Sequence, residues 1–217
     1  MGTTTKPTRS YAPALGLDWL LPLYDPILRA VIPEEAIKRQ LVGLADIAPG
    51  HRVLDVGCGT ATLSLYIKQM HPEAEVIGLD ADAKALDKGR EKAAAAALPI
   101  CFDVGMADAL PYADASIDRA LCAFVFHHLA REQKHGTLRE IRRVLKPGGR
   151  FAMLDFGQPP TRIGALLAPL LHPGRHARDN VQGRLPQFMR EAGFAVTEVA
   201  RRTLLVGSVS HWICCTD

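Results

Sequence analysis

Val53-Leu54-Asp55-Val56-Gly57-Cys58-Gly59-Thr60 decides how this chain is read. A short apolar run ends on an acid and passes directly into Gly-x-Gly, and a helical pattern, Leu63 to Met70, follows. Glycines at that point let the backbone turn tightly and let a ligand approach it closely. In open α/β sheets the carboxyl ends of the strands are where ligands sit.

Outward from this stretch, Glu75 to Leu79 reads as a second strand. Asp82 to Ala97 reads as a helix with Asp82 as N-cap, an alanine-rich body and a stop at Pro99. Ile100 to Val104 and Ser116 to Phe124 give two further strands. Arg131 to Leu145 reads as a helix stopped by Pro147-Gly148-Gly149, and Arg150 to Phe156 as a fifth strand. Strands alternating with helices predict an α/β fold whose mostly parallel sheet is covered on both faces. Upstream, residues 15 to 46 read as helices only, with Pro33-Glu34-Glu35 opening the second. Downstream, Gly157 to Asn180 is broken by Pro159, Pro160, Pro169 and Pro173 and predicts a loop with a short amphipathic piece. A helix from Leu185 to Ala192, ended by Gly193, leads to two strand-like runs, Ala195 to Ala200 and Thr203 to Cys215.

The composition narrows the function. The 217 residues suffice for a full core, and 48% hydrophobic with 23% charged residues excludes disorder. Lys and Arg exceed Asp and Glu by 26 to 23, a net +3 too small to argue for nucleic acid. The five cysteines form no CxxC pair and are odd in number, which fits a reducing cytoplasm better than a disulfide framework or a zinc site. Cys214 and Cys215 lie in a strand pattern that points neighbours to opposite faces. The apolar runs Leu15 to Leu23 and Ile163 to Leu171 fall short of the roughly 20 residues that a spanning helix needs. The expectation is a cytoplasmic chain with no transmembrane segment.

A dinucleotide loop is the first rival reading of Gly57-Cys58-Gly59-Thr60-Ala61-Thr62. It wants glycine or alanine where Thr62 stands, and Asp55 beneath the first glycine would repel a diphosphate. The same acid suits a cationic ligand part. Asp80, ending the second strand, sits where an acid commonly holds ribose hydroxyls.

At these residues the chain resembles the class I S-adenosylmethionine-dependent methyltransferases. VLDVGCGT resembles their first motif and VIGLDAD (76 to 82) the segment with the ribose acid. GMADALPYADASID (105 to 118), FVFHHL (124 to 129), EIRRVLKPGGRF (140 to 151) and LDF (154 to 156) complete the series in order. The subgroup it is most similar to is the small-molecule enzymes of ubiquinone and menaquinone biosynthesis, whose Tyr-Asp pair before the first strand resembles Tyr24-Asp25. The resemblance implies a Rossmann-like seven-stranded sheet, mostly parallel, with an antiparallel C-terminal strand. It divides the chain into an N-terminal helical cap over 1–46 and a cofactor-binding domain over 47–217, with 161–184 as a candidate substrate lid.

It also implies roles. Asp55, Gly57, Cys58 and Gly59 would line the methionine end, with Asp55 facing the ammonium through water or backbone amides. Asp80 and Ala81 would meet the ribose, Met106 and Ala107 the adenine, Ala123 the methionine ammonium, and Tyr24 would cap that end. Two positions depart from the family. Ala61 replaces the usual glycine, tolerable if that residue is already helical, and Met106 replaces the usual adenine-bonding acid, with Asp108 two positions late.

Methyl transfer from a sulfonium is a direct displacement, so alignment does most of the work and no metal is demanded. No His, Cys or Asp cluster has metal-ligand spacing. His128, after the fourth strand, is the candidate base or substrate orienter, while Asp155 is expected in a surface or capping role. Arg162, Arg175, Arg178, Arg184 and Arg190 make 161 to 190 basic, as a lid over an amphiphilic acceptor or a peripheral membrane contact would be. The expected partner is a small-molecule acceptor rather than nucleic acid, on a monomer or homodimer. A non-catalytic cofactor-binding scaffold and a lipid-headgroup or quinone methyltransferase at a membrane surface stay open as alternatives.

Overall fold

The alternating apolar runs settle into one sheet. The computed structural model describes residues 33–159, 175–204 and 207–216. Its elements run α1 (Glu34–Leu44), β1 (Arg52–Val56), α2 (Thr62–Met70), β2 (Glu75–Asp80), α3 (Ala83–Ala95), β3 (Cys101–Val104) and β4 (Ile117–Ala123). They continue with α4 (Arg131–Val144), β5 (Leu145–Gly157), α5 (Arg178–Val181), α6 (Leu185–Glu191), β6 (Ala195–Leu204) and β7 (Gly207–Cys215). The seven strands lie in the order β3-β2-β1-β4-β5-β7-β6. The first five pair in parallel, and β7 runs antiparallel between β5 and β6. The sheet is therefore Rossmann-like, and its order reverses between β1 and β4. Ligands bind outside the carboxyl ends at such a reversal.

Pleating decides which side chains meet which helices, because successive residues face opposite ways. Leu54, Val56, Ala120, Cys122, Phe151 and Met153 join one buried cluster with Leu138 and Ile141 of α4 and Phe188 and Met189 of α6. Each such aliphatic or aromatic side chain contributes about 1.5–3 kcal/mol by leaving water. The opposite face is closed by α1 and α2. There the Asp55 carboxylate accepts from Ser64 of α2, and His211 Nε2 of β7 donates to the Ile37 carbonyl of α1 at 3.1 Å.

Local chemistry explains the boundaries. Asp82 caps α3 as expected, its carboxylate accepting from the Lys84 and Ala85 amides. The Gln133 side chain accepts from the Ala130 amide at the start of α4. Three details differ from the sequence expectation. Pro147-Gly148-Gly149 does not separate helix from strand: Leu145 already pairs with Ile117, and a register shift carries β5 past Gly148, whose φ is 71°. The sixth strand runs on to Leu204 through an irregularity between Glu198 and Ala200. Ala61 is not helical: it caps α2 with φ 64°, the left-handed region that disfavours a Cβ by roughly 1–2 kcal/mol.

Cys214 is buried and Cys215 half-buried, on opposite faces as the strand pattern requires, and both are free thiols. Among the described residues no helix is long and apolar enough to cross a membrane. Tyr24, the rest of the expected cap up to residue 32, and 161–174 of the expected lid lie outside the described residues.

Candidate active site

The loop after β1 is hung from β2. The Gly57 and Cys58 amides both donate to the Leu79 carbonyl, at 2.8 and 3.0 Å, and the Ala61 amide donates to the Cys58 carbonyl at 2.9 Å. The Gly59 amide donates to Asp80 Oδ2 at 2.7 Å. Four of the five amides from Gly57 to Ala61 are thus committed to the protein. The two glycines serve different ends. Gly57 has φ 71°, and a Cβ there would lie 2.5 Å from Val125 Cγ2. Gly59 has φ 54°, and its Cβ would meet nothing within 4 Å among the described residues, which leaves open space over the loop. Lys92 of α3 fixes the next residue, donating to the Thr60 carbonyl and hydroxyl.

Two carboxylates flank that space. Asp55 is only 1% exposed, and the Ser64 hydroxyl donates to its Oδ2 at 2.6 Å. Burial pushes the Asp55 carboxyl up to about 6; the Ser64 hydrogen bond opposes this, and Lys38 and Asp80 act in opposite directions. Asp80 is half-buried, and its Oδ1 accepts from the Asp82 amide at 2.9 Å. Each of its oxygens holds one amide and keeps a lone pair for a further donor. Cys58 sends Sγ over Gly78, where burial pushes the thiol up and keeps it protonated. Ala81 is exposed at the bend beyond Asp80.

Beside Asp80, in register on β3, stands Val104, a valine 57% exposed at the strand's carboxyl end. Met106 and Ala107 follow, half-buried, with Met106 bridged to Ala109. Asp108 sets its Cβ 3.0 Å from where a Cβ on Gly136 of α4 would stand. Val104 escapes a reading of the sequence, since one apolar residue in a strand carries no signal until its neighbours leave it bare.

The other half of the site follows β4 and β5. Ala123 ends β4 half-buried. Phe124 takes φ 59°, uncommon for an aromatic residue, with its amide donating to the Leu154 carbonyl at 2.8 Å. Left-handed bulky residues concentrate at functional sites. Its ring lies 5.2 Å from that of Phe156. The 3₁₀ turn Phe126–His128 then brings His127 Nδ1 to 2.9 Å from Asp155 Oδ1. Asp155 is 0% exposed, which overturns the surface role expected for it. Its Oδ1 also accepts from the Phe156 amide at 2.7 Å. His128, the residue favoured by sequence, is exposed at the rim. Chain crowding its inner side, and next the His127 ring, hold its imidazole below the ordinary value. The sequence alone does not pair His127 with Asp155, because their contact bridges two strands.

Beyond the turn, Lys134 of α4 is buried, donating to the His176 carbonyl, with Asp179 3.6 Å away. Arg131 also bonds Asp179, so α5 is pinned to α4. Among the described residues no three His, Cys, Asp or Glu side chains converge as a metal site.

Residues 53–149 match a family described as a methyltransferase domain. The chain is 36% identical over 183 residues to the demethylmenaquinone methyltransferase of Deinococcus radiodurans, covering 75% of this chain and 74% of that one. It is 32% identical over 201 residues to the enzyme of the same name from Symbiobacterium thermophilum, covering 79% and 78%. Among solved structures, a SAM-dependent methyltransferase from Aquifex aeolicus superposes with a TM-score of 0.66 at 19% identity, over 89% of this chain and 98% of that one.

Proposed function

This chain belongs to the class I S-adenosylmethionine-dependent methyltransferases, and within that family we propose that it methylates a ring carbon of a small quinol-like acceptor. The observation that carries the cofactor end is the state of the loop amides. A diphosphate loop offers its amides to the ligand, whereas here the Gly57, Cys58 and Gly59 amides face β2 and an acid. What remains to meet a ligand is negative or apolar: Asp80, Val104 and the opening over Gly59, with Asp55 a buried acid at the end of β1.

Those residues fit S-adenosylmethionine, which supplies an electrophilic methyl group on a sulfonium when bound. Asp80 takes ribose hydroxyls on its remaining lone pairs, while Val104 and Met106 lie against the adenine and Ala107 beside it. Asp55 and Ala123 serve the ammonium end, with Cys58 contributing backbone only. The Phe124–Phe156 pair supports a planar acceptor, since two rings 5.2 Å apart present an apolar aromatic wall. Relatives named for demethylmenaquinone support the same class. An amphiphilic acceptor of that kind fits a cytoplasmic enzyme touching a membrane surface through the basic region around Arg178, Arg184 and Arg190.

The test combines calorimetry with methyl transfer. Wild-type protein binds S-adenosylmethionine, and Asp80→Ala weakens it by about 10–100-fold, the value of hydrogen bonds to a charged group. With a short-chain demethylmenaquinol as acceptor, mass spectrometry shows a product heavier by one methylene unit. Cofactor binding without any methylated quinol would reject the acceptor class and leave the family intact.

A further inference from the structure

Asp155 stands where the pattern calls for an apolar side chain. It lies on the same face of β5 as Phe151 and Met153, wholly buried, and its Oδ2 has no hydrogen-bond partner among the described residues. A buried carboxylate is costly unless something compensates it. The compensation is one-sided: the Phe156 amide and His127 both reach Oδ1. A carboxylate only accepts, so His127 Nδ1 is the donor and, in the neutral ring, Nε2 is left as an acceptor. The His127 side chain is 15% exposed, and Nε2 carries no hydrogen bond among the described residues. Its ring is held by the edge-on Phe156 ring at 4.9 Å and by His128 at 3.9 Å. An imidazole locked by packing and by a carboxylate behind it is the arrangement that general bases use.

We propose that His127, rather than His128, takes the proton from the acceptor's hydroxyl, and that Asp155 is the positioning residue that fixes its tautomer and charge. This rests on the quinol reading above. In the step, the acceptor O–H bond breaks, its electron pair stays on oxygen, and the proton passes to Nε2. His127 becomes an imidazolium whose Nδ1–H still bonds Asp155. The ring carbon so activated would form the new C–C bond as the methyl's bond to sulfur breaks, the electron pair leaving on sulfur, and the displaced ring hydrogen would then pass as a proton to the oxygen and restore the aromatic quinol. The titratable groups beside the dyad are His128 on the same turn, Cys122 on β4 and Lys134 on α4, with His176 ahead of α5 acting on His128.

Nuclear magnetic resonance of ring-labelled histidine in the ligand-free protein tests the dyad without any acceptor. Wild type shows the neutral His127 ring protonated at Nδ1, and Asp155→Asn moves the ring toward the Nε2-protonated tautomer. In the quinol assay, His127→Gln lowers kcat by about 10²–10⁴-fold while cofactor affinity stays within about twofold. Asp155→Asn lowers kcat together with that change of tautomer, a spectroscopic signature that loss of packing does not produce. A wild-type ring protonated at Nε2, a tautomer indifferent to Asp155→Asn, or a larger loss in His128→Ala than in His127→Gln overturns the proposal. Absence of quinol turnover in wild type strikes the acceptor class instead and leaves the tautomer to decide the dyad.

Discussion

Asp55→Asn is expected to stabilise the ligand-free protein above pH 6 while weakening its hold on S-adenosylmethionine. The ordinary aspartate value is 3.8, and burial takes Asp55 to about 6 in the folded chain. Between those values the folded protein binds more protons than the unfolded one. Stability from this group is therefore intact below about pH 4 and lost as pH rises through 6, by about 3 kcal/mol. Asparagine stays neutral and escapes the loss. Denaturant unfolding at pH 8 should show the variant more stable, with the difference vanishing near pH 4. Cofactor binding runs the other way. An ammonium ligand prefers the ionised acid, so wild-type affinity climbs up to tenfold per unit below pH 6 and then levels, whereas the variant lacks that slope and binds weakly throughout. A variant less stable than wild type at pH 8 would remove Asp55 from this role.

Gly57→Ala is expected to damage fold and site together. The substitution meets two penalties: a left-handed φ of 71°, worth roughly 1–2 kcal/mol, and a Cβ 2.5 Å from the branched Val125 side chain. Overpacking of that kind adds about 1–3 kcal/mol, so a total near 3 kcal/mol is expected. The loop shifts off Leu79, and cofactor binding falls below detection by calorimetry. Gly59→Ala carries only the first penalty, because nothing described lies within 4 Å, and it should retain most stability while obstructing the ligand. A Gly57 variant as stable as the Gly59 variant would show that Val125 yields.

These two glycines mark how far the sequence can be read. Strand, acid and Gly-x-Gly are local signals, and their spacing alone suffices to position β1, the loop, Asp55 and Asp80 at the carboxyl edge of a sheet. The parallel pairing of the first five strands follows from the same alternation. What escapes depends on contacts between distant residues. Ala61 looks like an ordinary helix former, and its left-handed φ emerges only once the loop is tied to β2. Asp155 in LDF looks like a strand-end acid, and only the pairing of β4 with β5 brings His127 to it across 28 residues of sequence. The Pro147-Gly148-Gly149 stretch reads as a stop, yet Leu145 already meets Ile117, so tertiary pairing extends β5 through the break.

The suspension of the first loop from β2 carries a last implication. Because the Leu79 carbonyl and Asp80 tie that loop to β2, a nucleoside bound there as proposed would meet a backbone fixed by its own hydrogen bonds, and little ordering entropy would oppose it. The proposed acceptor side is anchored separately, through β5 and the Lys134–Asp179 contact. Descendants of such a scaffold are free to exchange one methyl recipient for another without disturbing how the methyl donor is loaded.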